Sequence, residues 1–309
     1  MSRKQAVRFL ILTIAAYLAI FYIVPHVSVK THPGQLAVIV LTTIVFMGLQ
    51  IALVRWFAEL RLSVKTVLPI FLVVIALFLV GFLLIANGQR DRLLHLAKDP
   101  GIIAVLKRPS ISSYSLLYTG YNGWLVPFMS LLLIAGATST GYLVSFLLRE
   151  RNIVLPVAVF AGFTDFWTVS VGPTAKMIKH APHIVQAVSA PIPTPGAGHI
   201  TPISFIGPGD FIFLALLFGA ICRLGMNLRR TYWFVFPLLS LGMLGVIVGG
   251  AIFRLNTGFP ALVLIAIGVI LANIGEFRLQ KSEIKAIVVV VGIILALALI
   301  ITSILTHKP

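Results

Sequence analysis

The chain has 309 residues, of which 59% are hydrophobic and 10% are charged. Soluble domains carry about 25% charged residues, so this composition excludes a soluble enzyme and predicts a protein embedded in the lipid bilayer. The net charge is +16, but the basic residues form short clusters at the ends of apolar runs. This pattern is typical of membrane anchoring and argues against nucleic acid binding. The single cysteine, Cys222, excludes an internal disulfide.

Apolar runs of about 20 residues, the length that crosses the hydrocarbon core, recur along the chain. They cover residues 6–25, 35–55, 66–87, 124–148, 153–172, 203–224, 233–253, 259–275 and 284–305. The expected fold class is therefore all-α, a polytopic membrane protein with about nine transmembrane helices. The first run is expected to be a retained span, because no cleavage pattern of the A-x-A type follows it. The long connection at residues 88–120 contains helix breakers and is expected to be a loop or a cap outside the membrane.

The basic residues also predict an orientation. If the N-terminus is cytoplasmic, fourteen of the 24 Lys and Arg residues face the cytoplasm. Of the ten that face out, five lie in the long connection, where the positive-inside rule is weaker. We therefore expect an integral, multi-pass membrane protein with a cytoplasmic N-terminus.

Two acidic residues, Asp165 and Asp210, lie inside apolar runs, whereas the other six lie in polar connections. A charged residue at the bilayer centre costs about 2.5–3.5 kcal/mol on insertion scales, so such a residue indicates a functional site. Asp165 is seven residues before the end of its run and Asp210 is seven residues after the start of the next. At 1.5 Å per residue both lie about 10 Å below the same membrane surface, and two consecutive antiparallel helices can bring them face to face.

A pair of carboxyl groups within about 5 Å would repel by about 3 kcal/mol if both were charged, so near neutral pH the pair would share one proton. The ionised member can then accept a proton from water while the protonated member polarises a peptide carbonyl. Gly207 and Gly209 flank Asp210 and would let a substrate backbone come close. The same pair would also serve as a proton or cation relay. These residues alone therefore do not decide between a protease and a transporter.

Three motifs carry a resemblance to a known family. Residues 207–213, GPGDFIF, resemble the G-x-G-D signature of the presenilins and signal peptide peptidases, which are intramembrane aspartyl proteases. Residues 165–167, DFW, are similar to the stretch around the first catalytic aspartate of that family. Pro260, Ala261 and Leu262 resemble its P-A-L motif. The three occur in the family order, and the likeness covers about residues 155–273.

The resemblance implies a presenilin-like fold in which Asp165 and Asp210 are the catalytic pair. It also implies that Gly207, Gly209 and the three P-A-L residues bind substrate, and that neither a metal nor another cofactor is needed. Residues 151–309 would form the catalytic part, and residues 1–150 an N-terminal set of helices. The expected directions of the two aspartate helices are similar to those of signal peptide peptidases. That branch prefers type II transmembrane segments, so the expected partners are transmembrane peptides or proteins of that type.

The chain departs from the family pattern at two points. Thr164 stands where the family usually has Tyr, and the aspartates fall on the fifth and sixth predicted spans instead of the sixth and seventh. Either an early helix is missing or the segmentation is wrong near residues 88–120. Prepilin-type peptidases share G-x-G-D but usually have x-Lys after the Asp, where this chain has Phe-Ile. The sequence is also compatible with a proton-coupled transporter and with a catalytically silent homologue.

The connection at residues 172–202 is rich in proline, and its proline-rich half cannot form a regular helix. It is either a solvated linker or a gate in which residues 200–205 pair as a strand with an extended substrate. His180, His183 and His199 lie in it without helical spacing or a carboxylate, so no metal site is expected. Small residues at 136–141, and Gly245 with Gly249, are expected to mark close contacts between helices.

Overall fold

The computed structural model describes residues 2–29, 31–96, 125–170, 189–198, 202–253 and 260–277, together with the single positions 285 and 292. Within these ranges the chain forms eight α-helices and one antiparallel pair of strands. The elements are α1 (Arg3–Ile23), α2 (His32–Glu59), α3 (Val64–Leu96), α4 (Val126–Ser145), α5 (Arg151–Ser170), β1 (Ala190–Pro193), β2 (Pro202–Ile206), α6 (Pro208–Arg223), α7 (Leu228–Phe253) and α8 (Ala261–Asn273). Short 3-10 turns follow α1 and α8 at Val24–His26 and Ile274–Glu276.

The chain is mostly helical, and six of its described helices are long and apolar enough to cross a membrane. These are α1 to α5 and α7, which coincide with six of the nine expected spans. Helix α8 coincides with a seventh but is shorter, with 13 residues. The last expected span, 284–305, lies outside the described residues apart from positions 285 and 292. Helix α3 continues to Leu96, so the expected loop at 88–120 is wrong over residues 88–96, which are helical; residues 97–120 lie outside the described residues.

The predicted span at 203–224 is wrong at its beginning. Pro202–Ile206 is a β-strand, and α6 starts only at Pro208, with Gly207 as its N-cap. Proline has no N–H and disfavours helical dihedrals in the residue before it, so the helix cannot continue through Gly207, whereas proline is well suited to the first helical position. Asp210 is therefore in the first turn of α6. The helix has 16 residues and is about 24 Å long.

Helix α6 lies at the centre of the bundle, where it contacts α2, α4, α5, α7 and α8. Its closest neighbour is α4. Gly141 of α4 lies against the backbone carbonyl of Ile212, and a Cβ at Gly141 would overlap that oxygen. Gly219 of α6 in turn lies against Tyr142, with 2.9 Å between an added Cβ and the ring. Because glycine permits these approaches, the packing role expected for residues 136–141 is confirmed at Gly141.

The remaining helices surround α6. Helix α5 packs on α8, α8 on α7, α7 on α2 and α2 on α1, while α3 packs against α4. A buried hydrogen bond of 2.7 Å between the hydroxyls of Tyr17 and Ser130 joins α1 to α4. At Gly245 of α7 no described atom lies within 4 Å of an added Cβ, so the close helix contact predicted there with Gly249 has no partner among the described residues.

Gly141 and Gly245 provide a matched test of the packing. Gly141→Ala places a methyl group against the Ile212 carbonyl, and overpacking of this kind costs about 1–3 kcal/mol. We therefore expect it to lower the thermal unfolding temperature of the detergent-solubilised protein by several degrees. Gly245→Ala adds the same methyl group in open space and should leave that temperature unchanged or slightly higher. Equal effects of the two substitutions would contradict the packing of α4 on α6.

Candidate functional site

Asp165, near the end of α5, is bonded to the start of α8. Its Oδ2 accepts a hydrogen bond of 2.9 Å from the backbone N–H of Leu262. Leu262 is the second residue of α8, and N–H groups in the first turn of a helix have no acceptor within that helix. The carboxyl group of Asp165 therefore caps α8 from a neighbouring helix, at the end where the helix dipole favours negative charge.

Gly162 allows this contact to form. It precedes Asp165 by three residues and lies on the side of α5 that meets α8. A Cβ at this position would be 3.2 Å from the Cβ of Ala266 and 3.3 Å from the Cα of Val263. A larger residue would push α5 away from the start of α8. The sequence analysis missed Gly162, although its spacing from Asp165 places both on one helix face.

Asp210 also lies at a helix start. It is the third residue of α6, and its Oδ2 lies beside the N-cap residue, Gly207, 3.6 Å from a Cβ added there. Both aspartates are therefore partly buried, with the Asp165 carboxyl group at the N-terminus of α8 and Asp210 in the first turn of α6.

Arg151 shows that the site residues lie at one level. At the opposite end of the bundle its Nε donates to the carbonyl of Leu224, after α6, and its Nη1 pairs with Glu276, after α8, at 3.0 Å and 2.9 Å. Fourteen residues separate Arg151 from Asp165, and the same number separates Leu224 from Asp210 and Glu276 from Leu262. At 1.5 Å per residue each site residue is about 21 Å from that end. The Asp165 carboxyl is within electrostatic reach of Asp210.

The other residues expected at the site surround this pair. Pro260 is the N-cap of α8, and Ala261 and Leu262 are buried, with 6% and 7% of their surface exposed. Gly207 is 3.6 Å from Asp210, measured from an added Cβ to Oδ2, while Gly209 is exposed and has no described atom within 4 Å of such a Cβ. The structure thus brings Asp165, Asp210 and Leu262 together and leaves open space beside Gly209.

Strand β2 leads directly into α6. It pairs with β1 in antiparallel register, Ala190 opposite Ile206 and Ile192 opposite Ser204. Pro191, which lies between them in β1, and Pro193, which follows Ile192, have no N–H group, so the hydrogen-bonded pairs are expected at Ala190 and Ile192. The same prolines prevent a further strand from pairing with the outer edge of β1. On the other edge of β2 no third strand occurs among the described residues.

No group of three or more potential metal ligands occurs among the residues that the structure describes. His180, His183 and His199 lie outside those residues, as does most of the connection at 172–202. Phe166, next to Asp165, is 55% exposed on the outside of the bundle, as expected for a residue that faces lipid.

Comparison of the chain with models of protein families, with characterised proteins and with solved structures found no match. Its function is therefore inferred from the geometry of its own residues. Two carboxyl groups lie at one level of an apolar bundle within electrostatic reach of each other, and neither forms an ion pair with a described Lys or Arg. Helix capping is enough to explain why each carboxyl group, taken alone, lies in the bundle. Because the two lie near each other, they can also act together as an acid and a base.

The capping contact predicts different effects for two substitutions of one residue. Asp165→Asn keeps an oxygen that can accept the Leu262 N–H, whereas Asp165→Ala leaves that N–H without a partner, which costs about 1–3 kcal/mol. We expect Asp165→Ala to lower the unfolding temperature clearly more than Asp165→Asn does. Faster hydrogen exchange at the Leu262 amide should accompany the alanine variant only. If the two variants unfold alike, the bond does not stabilise the start of α8.

Proposed function

We propose that the chain is an intramembrane aspartyl protease that hydrolyses peptide bonds in transmembrane segments, with Asp165 and Asp210 as its catalytic pair. The observation that carries the proposal is that two carboxyl groups, without a described cationic partner, lie at one level within electrostatic reach of each other, next to Gly209, which is exposed among the described residues. The G-x-G-D and P-A-L motifs support it, because the P-A-L residue Leu262 is bonded to Asp165. The proposal includes the nine-span arrangement of presenilins and signal peptide peptidases.

The two carboxyl groups would act as one acid and one base that share a single proton. The ionised carboxylate takes a proton from water, and the resulting hydroxide adds to the scissile carbonyl carbon. The protonated carboxyl gives its proton to the carbonyl oxygen, which yields a gem-diol without a covalent enzyme intermediate. Collapse of the gem-diol then breaks the C–N bond: the first carboxyl gives its proton to the leaving amine, and the second carboxylate takes a proton back from a gem-diol hydroxyl, which restores the starting pair.

Leu262 would position one member of this pair. Its N–H fixes Oδ2 of Asp165, so the orientation of the whole carboxyl group depends on the start of α8. A carboxylate accepts hydrogen bonds at both oxygens, which leaves the second oxygen to face water or substrate. Gly207 would do the same for Asp210 through its backbone N–H. In this proposal the P-A-L motif acts on the catalytic group as well as on the substrate.

The substrate would bind as an extended strand along the edge of β2. A peptide bond inside a helix is shielded by the turns around it, so cleavage requires local unwinding. A strand edge offers backbone hydrogen bonds that offset this cost through β-augmentation. Strand β2 ends at Ile206, four residues before Asp210, so a peptide paired with it would extend toward the two aspartates. Type II transmembrane segments are the proposed substrates, with the N-terminus of the protease in the cytoplasm.

Cleavage by the purified protein tests this function. We expect proteoliposomes to cleave a panel of type II transmembrane peptides, with the products identified by mass spectrometry. Asp165→Asn and Asp210→Asn should each lower the rate about 100-fold or more, because each removes a group needed for proton transfer. Glu150→Gln removes an exposed acid at the opposite end of the bundle and serves as the matched control, with cleavage close to wild type.

Intact peptides across the panel would contradict the protease. Proton flux that depends on a small solute and disappears in Asp165→Asn would then establish a transporter. A folded protein that neither cleaves nor conducts would be a silent homologue. Since an amide keeps the size of the carboxyl group, loss of folding should not obscure these outcomes.

Substitution of the substrate backbone tests the pairing with β2 separately. In an antiparallel pair only every second residue of a strand bonds to a given neighbour. Peptides N-methylated at single positions next to the scissile bond should therefore be cleaved poorly when the methyl group falls on one set of alternate residues. Methylation of the residues between them should have little effect. Initial cleavage rates across such a series would show this period of two, and a uniform or monotonic dependence would argue against strand pairing.

A further inference from the structure

The turn of the β-hairpin is bonded to the end of α1. The N–H of Gly196 donates to the carbonyl of Val24 and the N–H of Gly198 to the carbonyl of Pro25, at 3.4 Å and 2.9 Å. Both carbonyls belong to the 3-10 turn that follows α1; that of Val24 also accepts the N–H of Val27 at 3.1 Å, whereas that of Pro25 receives its donor from the hairpin. The hairpin turn therefore caps α1, and we call this contact, between residues 24–28 and residues 195–198, the turn contact.

Only one of the two glycines is closely packed in the turn contact. Gly196 follows Pro195 and has φ +72°, as a type II turn requires of its third residue. A Cβ at Gly196 would be 3.2 Å from the carbonyl oxygen of Val27 and 3.4 Å from the Cα of Ser28. Gly198 has nearly the same φ, +70°, but no described atom within 4 Å of an added Cβ. The two positions share their backbone requirement and differ in their contact with α1.

Contacts other than the turn contact also hold the hairpin in place. All four residues of β1 are buried, and the strand packs against α2 and α4. The hydroxyl of Ser204 in β2 donates to the Sδ of Met243 in α7, at 3.3 Å. Strand β2 then passes directly into α6 and Asp210. Strand β2, paired with β1 and bonded to α7, is thereby held relative to the helices that carry the two aspartates.

We propose that the turn contact sets the register of β2, and that Gly196 is a positioning residue that determines which peptide bond of the substrate is cleaved. This inference rests on the protease function proposed above. A strand advances about 3.3 Å per residue, so a displacement of that size in β2 would bring a neighbouring peptide bond to the aspartates. The end of α1, which is remote in sequence from both aspartates, would thereby control the cleavage site.

A pair of alanine variants tests the inference. Gly196→Ala and Gly198→Ala impose the same dihedral strain and keep both N–H donors, but only Gly196→Ala presses on Val27. We expect Gly196→Ala to raise hydrogen exchange in β2 about fivefold or more, since overpacking costs at least 1 kcal/mol, and to spread cleavage over neighbouring bonds. Gly198→Ala should keep the wild-type product pattern. Equal product patterns and equal exchange in the two variants would overturn the inference.

A reversible cross-link tests it from the other direction. A Cβ at Gly196 would be 3.7 Å from the Cβ of Ser28, within the range of about 3.5–4.5 Å found in disulfides. The variant Ser28→Cys, Gly196→Cys in a Cys222→Ala background should therefore oxidise readily. Because Gly196→Cys adds the same Cβ as Gly196→Ala, the reduced protein should spread cleavage over neighbouring bonds, and the disulfide, which holds the turn contact together, should return cleavage to the wild-type bonds. Failure to cross-link, or activity that returns only on reduction, would overturn the inference, because the working state would then lack the turn contact.

These outcomes separate the inference from the function on which it rests. A wild-type protein that cleaves no peptide contradicts the protease. Hydrogen exchange and cross-linking still report in that case whether the turn contact holds β2 in place.

Discussion

An apolar bundle can hold two carboxyl groups only where something replaces the water around them, and in this protein the N-termini of α6 and α8 do so. Asp210 lies in the first turn of α6 beside Gly207, and Asp165 accepts the N–H of Leu262 at the start of α8. A helix N-terminus favours a nearby negative charge by about 0.3–1 kcal/mol at a surface and about 2 kcal/mol when partly buried. That offsets a large share of the roughly 2.5–3.5 kcal/mol that insertion of a charged residue costs. The contacts that place the two helix starts at one level are therefore a condition for the site to exist.

Those contacts depend on residues without side chains. Gly162 allows α5 to approach α8 at the level of Asp165, and Gly141 allows α4 to lie against the backbone of α6. At the opposite end Arg151 joins the chain near the ends of α5, α6 and α8. This ion pair is exposed and contributes little to stability by itself. How deep the site lies within the bundle thus depends mainly on how closely the helices pack. The charged contact at the opposite end fixes the positions of α5, α6 and α8 relative to one another along the bundle axis.

Hydrophobic length is a local property, so most helices and the two intramembrane acids could be predicted from the sequence. The beginning of α6 could not be predicted, because the same apolar run is compatible with a strand and with a helix. Pro208 is visible in the sequence, but proline also occurs inside α5 and α7, at Pro156 and Pro237, without ending them. The bond between Asp165 and Leu262 spans 97 residues of sequence and requires Gly162 on the facing surface. Such a contact depends on how helices pack, which one sequence does not reveal.

The late start of α6 also explains how Asp210 can lie where it does. If the helix had begun at Ile203, Asp210 would lie in its third turn, where every backbone N–H already has an acceptor within the helix. No donor of the helix itself would then face the carboxyl group, and the cost of placing a charge among apolar residues would remain in full. Because the preceding residues form a strand, α6 begins at Pro208, and Asp210 lies in its first turn, where the helix leaves N–H groups without an i−4 acceptor. The strand and the acid are therefore parts of one arrangement: the break at Gly207 and Pro208 creates both a sheet edge and the polar helix start beside it.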